Sequence, residues 1–379
     1  MKLKKAAVWL LACLFVSAMP FGVACGGSGA DNGESSSVAG GGLDETSSNA
    51  GTSSSGGGGS SDDVTQKTVK FGSYPQTWVK EETIVWALNE QAGAFPSAEN
   101  SQNWISYEYY KGNTNDVDYM WYQDVTHEGK KYRGVYFDYP RPYANGGMYG
   151  NGDNIYSYLD ENGYMRELTY WFAFEEVEWT VLEEKEGKAL LLCKDIIDSQ
   201  NYYPLEDNRT VNGTTVYANN YAESYIRQWL NDSFYKTAFT ATEQSKILTT
   251  LVNNGEESAW ACENDEKQEN RYLCADTNDK IFLLSKQEAT SVAYGFAADA
   301  WTADNAKWKK ASDYALSQGC YMWKKSDSEY NRNSTWLLRS PYYQYNTHVA
   351  CVNYDGRASD EAAVYQTSVG IVPAIWITL

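Results

Sequence analysis

Three tyrosines and an asparagine fall within the run Pro341-Tyr342-Tyr343-Gln344-Tyr345-Asn346. A tyrosine ring is broad and rigid with a polar tip, so Tyr342, Tyr343 and Tyr345, with Asn346 beside them, suit stacking on a sugar face or forming a protein-binding patch. Just before them, in Trp336-Leu337-Leu338-Arg339-Ser340-Pro341, Arg339 is expected to pair with a carboxylate such as Asp279 or Glu288. Five cysteines lie beyond the N-terminal segment: Cys193, Cys262, Cys274, Cys320 and Cys351. Their spacing fits no Cys-x-x-Cys zinc pattern. Cys262 and Cys274 bracket a polar, acidic loop from Glu263 to Asn270, where a disulfide would suit an exported protein. Cys193, inside the apolar run Leu190-Leu191-Leu192, reads as a buried thiol. His348 and Cys351 are three residues apart, so on a strand they face opposite sides and do not form a nucleophile pair.

Other chemistry finds less support. There is no phosphate-binding Gly-x-x-x-x-Gly-Lys-Ser/Thr loop, no Gly-x-Ser-x-Gly elbow and no His-Glu-x-x-His. With only two histidines in the chain, histidine catalysis and multi-histidine metal sites have little room. Carboxylates are plentiful enough to supply a glycosidase pair somewhere, but no motif points to one. The loops Asn113-Thr114-Asn115-Asp116-Val117-Asp118 and Asn151-Gly152-Asp153-Asn154 carry hard oxygen ligands suited to calcium, although neither follows an EF-hand and a solvated acidic loop is the plainer reading. No other cofactor is expected. Trp179, Trp229, Trp336 and Trp376 sit on the faces of expected elements and are read as core rather than ligand platforms.

The start of the chain sets the compartment. Residues 1–24 read as a signal peptide: Lys2, Lys4 and Lys5 form a basic start, and Ala6 to Met19 an apolar stretch too short to span a bilayer comfortably. Gly22-Val23-Ala24-Cys25 resembles the lipobox of bacterial lipoproteins, which makes Cys25 the expected lipidation site. Residues 25–66 are nearly all small or polar, as in Ser53-Ser54-Ser55-Gly56-Gly57-Gly58-Gly59, and are expected to be a disordered tether. The expected partner on that side is the bacterial membrane, through lipid on Cys25. The domain would then be displayed at the cell surface or in the periplasm. The whole chain has a net charge of −19; without the signal, 28 cations face 50 anions, a net −22. Such acidity repels phosphate backbones and excludes nucleic acid as a general partner.

Residues 67–379 then read as one domain. Val69 to Gln76 begins as a strand, and Gly129 to Phe137 alternates like another. Glu176–Glu183 and Ala189–Ile197 form a hairpin across Glu186-Gly187-Lys188. Tyr221, Tyr225, Ile226, Trp229 and Leu230 fall on one helical stripe, with Asn219 or Asn220 as N-cap. Thr240-Ala241-Thr242-Glu243 is a capping box opening a second helix that carries Ile247, Leu248 and Leu251 as far as Asn253-Asn254-Gly255. Strands are expected at Lys280–Ser285, Thr335–Pro341, His348–Asn353 and Gly370–Ile377, with Ser285 capping a following helix and Asp355-Gly356 making a tight turn. These make an α+β domain of two main helices, a mainly antiparallel sheet and long ordered loops.

The order of these segments resembles a bacterial family of unknown function found in exported proteins and lipoproteins. The resemblance rests on Phe71-Gly72-Ser73-Tyr74-Pro75-Gln76, Asp124-Val125-Thr126 before Tyr132-Arg133-Gly134-Val135, Tyr170-Trp171-Phe172, the helix Ser224 to Asn231, Asp279 to Ser285 with Glu288, Trp336 to Pro341 and Gly370-Ile371-Val372-Pro373-Ala374. Val372 departs from it, standing where that family commonly has an Arg. The C-terminal half is also similar to the C-type-lectin-like fold in its formylglycine-generating-enzyme branch; no match to that enzyme's copper-binding cysteine pair is found, so its activity is not expected. The scarcity of histidine, the lack of a catalytic motif and the tyrosine-rich loop lead us to expect a non-catalytic binding domain for a glycan or a surface protein. The alternatives are a structural or assembly protein at the surface and a glycan-active enzyme.

Overall fold

The computed structural model describes residues 66–96, 101–107, 120–137, 162, 164–165, 167–323 and 328–379. The expected signal sequence, Cys25, the Gly/Ser-rich segment to Thr65 and the two calcium-type loops at 113–118 and 151–154 lie outside the described residues.

Strand β1 (Thr68–Trp78) opens the folded part and leads into helix α1 (Glu82–Ala92). Short β2 (Ile105–Ser106) is followed by β3 (Met120–His127) and β4 (Lys130–Phe137). The hairpin expected next is present as β5 (Thr169–Lys185) and β6 (Lys188–Cys193). Its turn residues Glu186 and Gly187 have φ of 51° and 71°, the left-handed geometry that two-residue hairpins favour. At seventeen residues β5 is far longer than its alternating core Val177-Glu178-Trp179-Thr180-Val181 indicates. It pairs with β1 along one edge, from Phe172 to Thr180. Its other edge is shared, by β4 at Thr169–Ala173 and by β6 at Trp179–Lys185.

Beyond β7 (Asp198–Ser199) and the hairpin β8 (Arg209–Val211) and β9 (Thr214–Val216), the helical stretch is broken. It runs as α2 (Tyr225–Trp229), a π turn (Leu230–Phe234), α3 (Tyr235–Ala238) and α4 (Ala241–Lys246). Two expectations are corrected here. The first helix starts at Ser224, whose Oγ accepts from Arg227 N at 3.2 Å, rather than at Asn219 or Asn220. The second begins at the expected capping box, with Glu243 N donating to Thr240 Oγ1 and Thr240 N donating to Glu243 Oε2, but ends at Lys246. Ile247 bridges to Ile377 and Leu248 N donates to the Trp376 carbonyl at 2.8 Å, so these residues extend a sheet edge instead. Leu251 lies exposed in β10 (Thr250–Val252), which pairs with β11 (Thr277–Asp279).

The rest comprises β12 (Ile281–Phe282), α5 (Asp313–Ser317), β13 (Trp336–Pro341), β14 (His348–Val352), β15 (Asp360–Ala363), β16 (Gly370–Ile371) and β17 (Ala374–Thr378). Two sheets carry the fold. One has the order β12-β17-β6-β5-β4-β3-β2 with β1 added on β5, and every pairing in it is antiparallel. The other has the order β15-β14-β13-β16-β7, antiparallel except between β13 and β16. Among the described residues the fold is therefore mixed α+β, mostly antiparallel, with few and short helices and no barrel.

The core explains most of the sequence pattern. Trp179 and Trp336 are wholly buried, Trp229 is nearly so and Trp376 packs half-buried against them, as expected of core rings. Val372 is wholly buried as well, so an apolar side chain occupies the position where a guanidinium was expected from the resemblance. A smaller cluster gathers Leu88, Ala92, Trp104, Trp121, Tyr132 and Trp171 beneath α1. Each large apolar side chain so buried stabilises the fold by roughly 1.5–3 kcal/mol relative to exposure. Gly134 lets β4 approach this cluster, because a Cβ there would meet the Trp171 ring at 2.8 Å. Among the described residues, no helix is long and apolar enough to cross a membrane.

Candidate functional site

The tyrosine run lies between β13 and β14, and three amide side chains fix it. Asn270 Nδ2 donates to the Pro341 carbonyl at 3.0 Å, at the end of β13. Asn219 Nδ2 donates to the carbonyls of Tyr345 and His348, at 3.0 and 2.9 Å, and Asn219 N donates to the Asn346 carbonyl at 2.9 Å. Asn346 in turn donates from Nδ2 to Asn208 Oδ1 at 2.8 Å. The buried Asn219, expected as a helix cap, is thus the clamp of this loop.

So held, the rings form a series. Trp260 and Tyr343 have centroids 5.6 Å apart, Tyr343 and Tyr342 5.2 Å, Tyr342 and Tyr345 6.1 Å, and Tyr345 and His348 5.4 Å. A cleft of about 490 Å³ opens on the first three rings. Its wall opposite the β13–β14 loop comes from the segment after Ala259 and from Trp301, which is 65% exposed. Asn264, Gln268 and Asn270 supply planar amides, and Asp265, Glu266, Asp360 and Glu361 supply carboxylates. Asp360 and Glu361 reach the cleft because β15 is the sheet's edge, paired with β14 alone.

Among the described residues Lys286 is the one lysine lining the cleft, and its Nζ lies 2.9 Å from Asp265 Oδ2. Asp265 is further fixed by Ala261 N, which donates to it at 2.9 Å. Lys286 N donates to Ser340 Oγ at 2.9 Å, tying this wall back to β13. Burial pushes the Asp360 carboxyl above its usual range, helped by the nearby Asp355 charge and opposed by Arg357. Burial also raises the Tyr342 phenol, with Glu361 adding to it.

Of the residues singled out in the sequence, Tyr342 and Tyr343 line the cleft. Tyr345, half exposed at 52%, continues the ring series beside it, while Asn346 is turned to Asn208 and is not a lining residue. Trp260, Trp301, Glu266 and Glu361 were not foreseen. The one local signal for them in the sequence is the acidic loop after Cys262.

The expected disulfide is corrected: Cys262 and Cys274 are free thiols. Their anchors differ. Cys262 N donates to Thr290 Oγ1 at 3.0 Å, whereas Cys274 is half-buried against the backbone of Tyr221 and Ala222, and burial raises its thiol. Cys193 is the buried thiol expected, pushed up to about 12 by burial. Arg339 takes Glu288 rather than Asp279. Its Nη1 and Nη2 both reach the Glu288 carboxylate, Nη1 donates to the Leu283 carbonyl at 2.7 Å, and Nη2 donates to the Asn253 carbonyl at 3.0 Å. Asp279 is instead bound by Arg227 Nε at 2.7 Å.

A second polar cluster is sealed in the core. Tyr74 OH donates to Asp198 Oδ2 at 2.6 Å, and Ser199 N and Gln200 Nε2 donate to Asp198 Oδ1 at 2.6 and 3.2 Å. Burial nevertheless pushes Asp198 up to about 6. Tyr314, 5.7 Å from the Tyr74 ring, meets Tyr107 OH at 2.9 Å. Asp198 is 1% exposed, so this cluster ties β1 to β7 and offers no surface to a ligand. Among the described residues, no group of three or more His, Cys, Asp or Glu is placed to hold a metal.

These features define a mixed α+β domain whose C-terminal loops enclose an aromatic, carboxylate-rimmed cleft. Residues 186–379, just over half of the chain, match the family described as a domain of unknown function (DUF6273), and the chain belongs to that family. Every lining residue of the cleft falls within the matched segment. No curated protein and no solved structure matches the chain.

Proposed function

We propose that the cleft binds a carbohydrate without transforming it, and that the chain is an exported bacterial lipoprotein held at the membrane by lipid on Cys25. One observation supports the binding reading above all: the half-buried rings of Tyr342 and Tyr343, backed by the buried Trp260 and joined by the exposed Trp301, in a cleft of about 490 Å³ that amides and carboxylates also line. The C–H faces of a sugar pack on aromatic rings, and its hydroxyls are matched by planar side chains that donate and accept. A C-type-lectin-like architecture belongs to the same reading; in its favour are the helical stretch ahead of the C-terminal strands and a last strand that follows Gly370 and Pro373.

The test is a glycan array probed with the full chain beside the variant Tyr342→Ala/Tyr343→Ala/Tyr345→Ala. Loss of a wild-type glycan signal in the variant supports the reading, and a signal the variant retains overturns it. No glycan signal at all favours a surface-protein partner or an assembly role. Anchoring is tested by metabolic labelling with an alkyne fatty acid in a bacterial host: the label should appear on the chain and vanish in Cys25→Ser.

Hydrolysis is a second reading, favoured by the raised carboxyl of Asp360 beside Glu361 in the same cleft. Chromatography of an incubated oligosaccharide decides it, since binding alone leaves the chain length intact.

A further inference from the structure

We infer that the cleft selects sugars bearing a free, protonated amine, of the glucosamine type, over neutral and acidic sugars. The inference rests on the carbohydrate reading above. Four carboxylates line the cleft, at Asp265, Glu266, Asp360 and Glu361, against the single ammonium of Lys286. That ammonium is already matched, because Lys286 and Asp265 are an ion pair at 2.9 Å with both side chains largely buried. Glu266, Asp360 and Glu361 are in no salt bridge among the described residues; the nearby guanidinium of Arg357 is taken by Asp355, at 3.0 Å. Three carboxylates therefore line the cleft without a cation paired to them among the described residues.

The rings add to the same preference. The half-buried rings of Tyr342 and Tyr343 and the exposed ring of Trp301 line the cleft, and a cation beside the face of such a ring is attracted by it. A protonated amino sugar satisfies both halves of the lining at once. Its C–H face packs on a ring, and its ammonium reaches a carboxylate through charge-assisted hydrogen bonds. An N-acetylated sugar keeps the stacking and loses the charge. A uronic acid brings a carboxylate against three others and is repelled. A lysine-rich peptide would meet the charge but leave the ring series without a flat face to pack on.

Calorimetric titration of the full chain with the tetramers of glucosamine, N-acetylglucosamine and galacturonic acid tests this, with oligolysine as a fourth titrant. The glucosamine tetramer should bind about tenfold more tightly than the N-acetylated one, with the margin shrinking as salt rises. Galacturonate should not bind. In Glu266→Gln/Glu361→Gln, both exposed positions, the ratio of the two glucosamine-type affinities should fall towards one, with an unchanged melting temperature showing that the variant folds. Equal or tighter binding of the N-acetylated tetramer, or a ratio untouched by the double substitution, overturns the charge preference while the carbohydrate reading stands. Binding of oligolysine without any tetramer, or of nothing, overturns both.

Discussion

Asn219 and Tyr345 are joined by a side-chain amide that donates to a backbone carbonyl at 3.0 Å, and the same Nδ2 donates to the His348 carbonyl at 2.9 Å. Asn219 is wholly buried, so the second half of the tyrosine loop, from Tyr345 to His348, closes on one group shielded from water. Asn219→Asp would turn an oxygen towards two carbonyls. The expected loss is about 2–3 kcal/mol of unfolding free energy, and Asn219→Ala should lose somewhat less. Urea unfolding gives the loss, and faster proteolysis within 342–348 would locate it. Unaltered cleavage there would mean that Asn219 does not hold the loop.

Arg339 is almost wholly buried, and its guanidinium reaches Glu288 and two backbone carbonyls. Arg339→Leu strands all three acceptors and should destabilise the domain by about 3–5 kcal/mol. Glu288→Gln keeps an acceptor for Arg339 and should lose clearly less. If denaturant midpoints show the two substitutions to be equivalent, the carbonyl contacts contribute nothing.

Asp198 gives the domain a pH dependence whose direction can be stated. Its folded value is pushed up to about 6, above the ~3.9 of an unfolded aspartate, so the folded chain holds this proton more tightly. The stability it contributes is complete below about pH 4, is lost as pH rises through about 6, and amounts to roughly 2–3 kcal/mol. Asp195, also raised by burial, acts in the same direction. Asp124 and Glu243, lowered by Arg133 and by Thr240 with Gly72 N, act oppositely and at lower pH. Unfolding free energy of Asp198→Asn should therefore vary less between about pH 5 and 7 than that of the wild type. An identical pH slope in the two proteins would remove Asp198 as its cause.

The five described cysteines are free thiols, and Cys262 is the exposed one. Of these five, Cys262 should react readily with a disulfide reagent in the folded chain and the other four only on unfolding, as burial raises Cys193, Cys274, Cys320 and Cys351. Reductant should leave the melting temperature unchanged. A mass two hydrogens lighter in the native chain would show that a disulfide forms.

Sequence periodicity is enough for the β5–β6 hairpin, the capping box at Thr240 and the strands β13 and β14, because each carries its own local signal in alternation or turn chemistry. It does not show β15, and the one strand expected over Gly370–Ile377 is instead β16 and β17, in different sheets. It failed where a distant partner decides. Ile247 and Leu248 continue an apolar helical stripe, yet β17 takes their backbone. Helix α1 was overlooked although Ile84, Val85, Leu88 and Ala92 share a face, because its one bulky exposed ring, Trp86, blurs the pattern. The tyrosines of the cleft could be read because they are adjacent in sequence. Trp260, Trp301 and Glu361 could not, since only the edge position of β15 and the fold of the loop after Ala259 bring them together.

The long strand β5 has a consequence for where this domain can be cut. The family match begins at Glu186, in the turn between β5 and β6. A chain started there would keep β6 paired with β17 on one side but strip β5 from the other, baring the backbone edge of Lys188-Ala189-Leu190-Leu191-Leu192-Cys193. An unpaired apolar edge is a template for intermolecular pairing. The N-terminal strands thus cover an edge that the matched segment by itself would leave open.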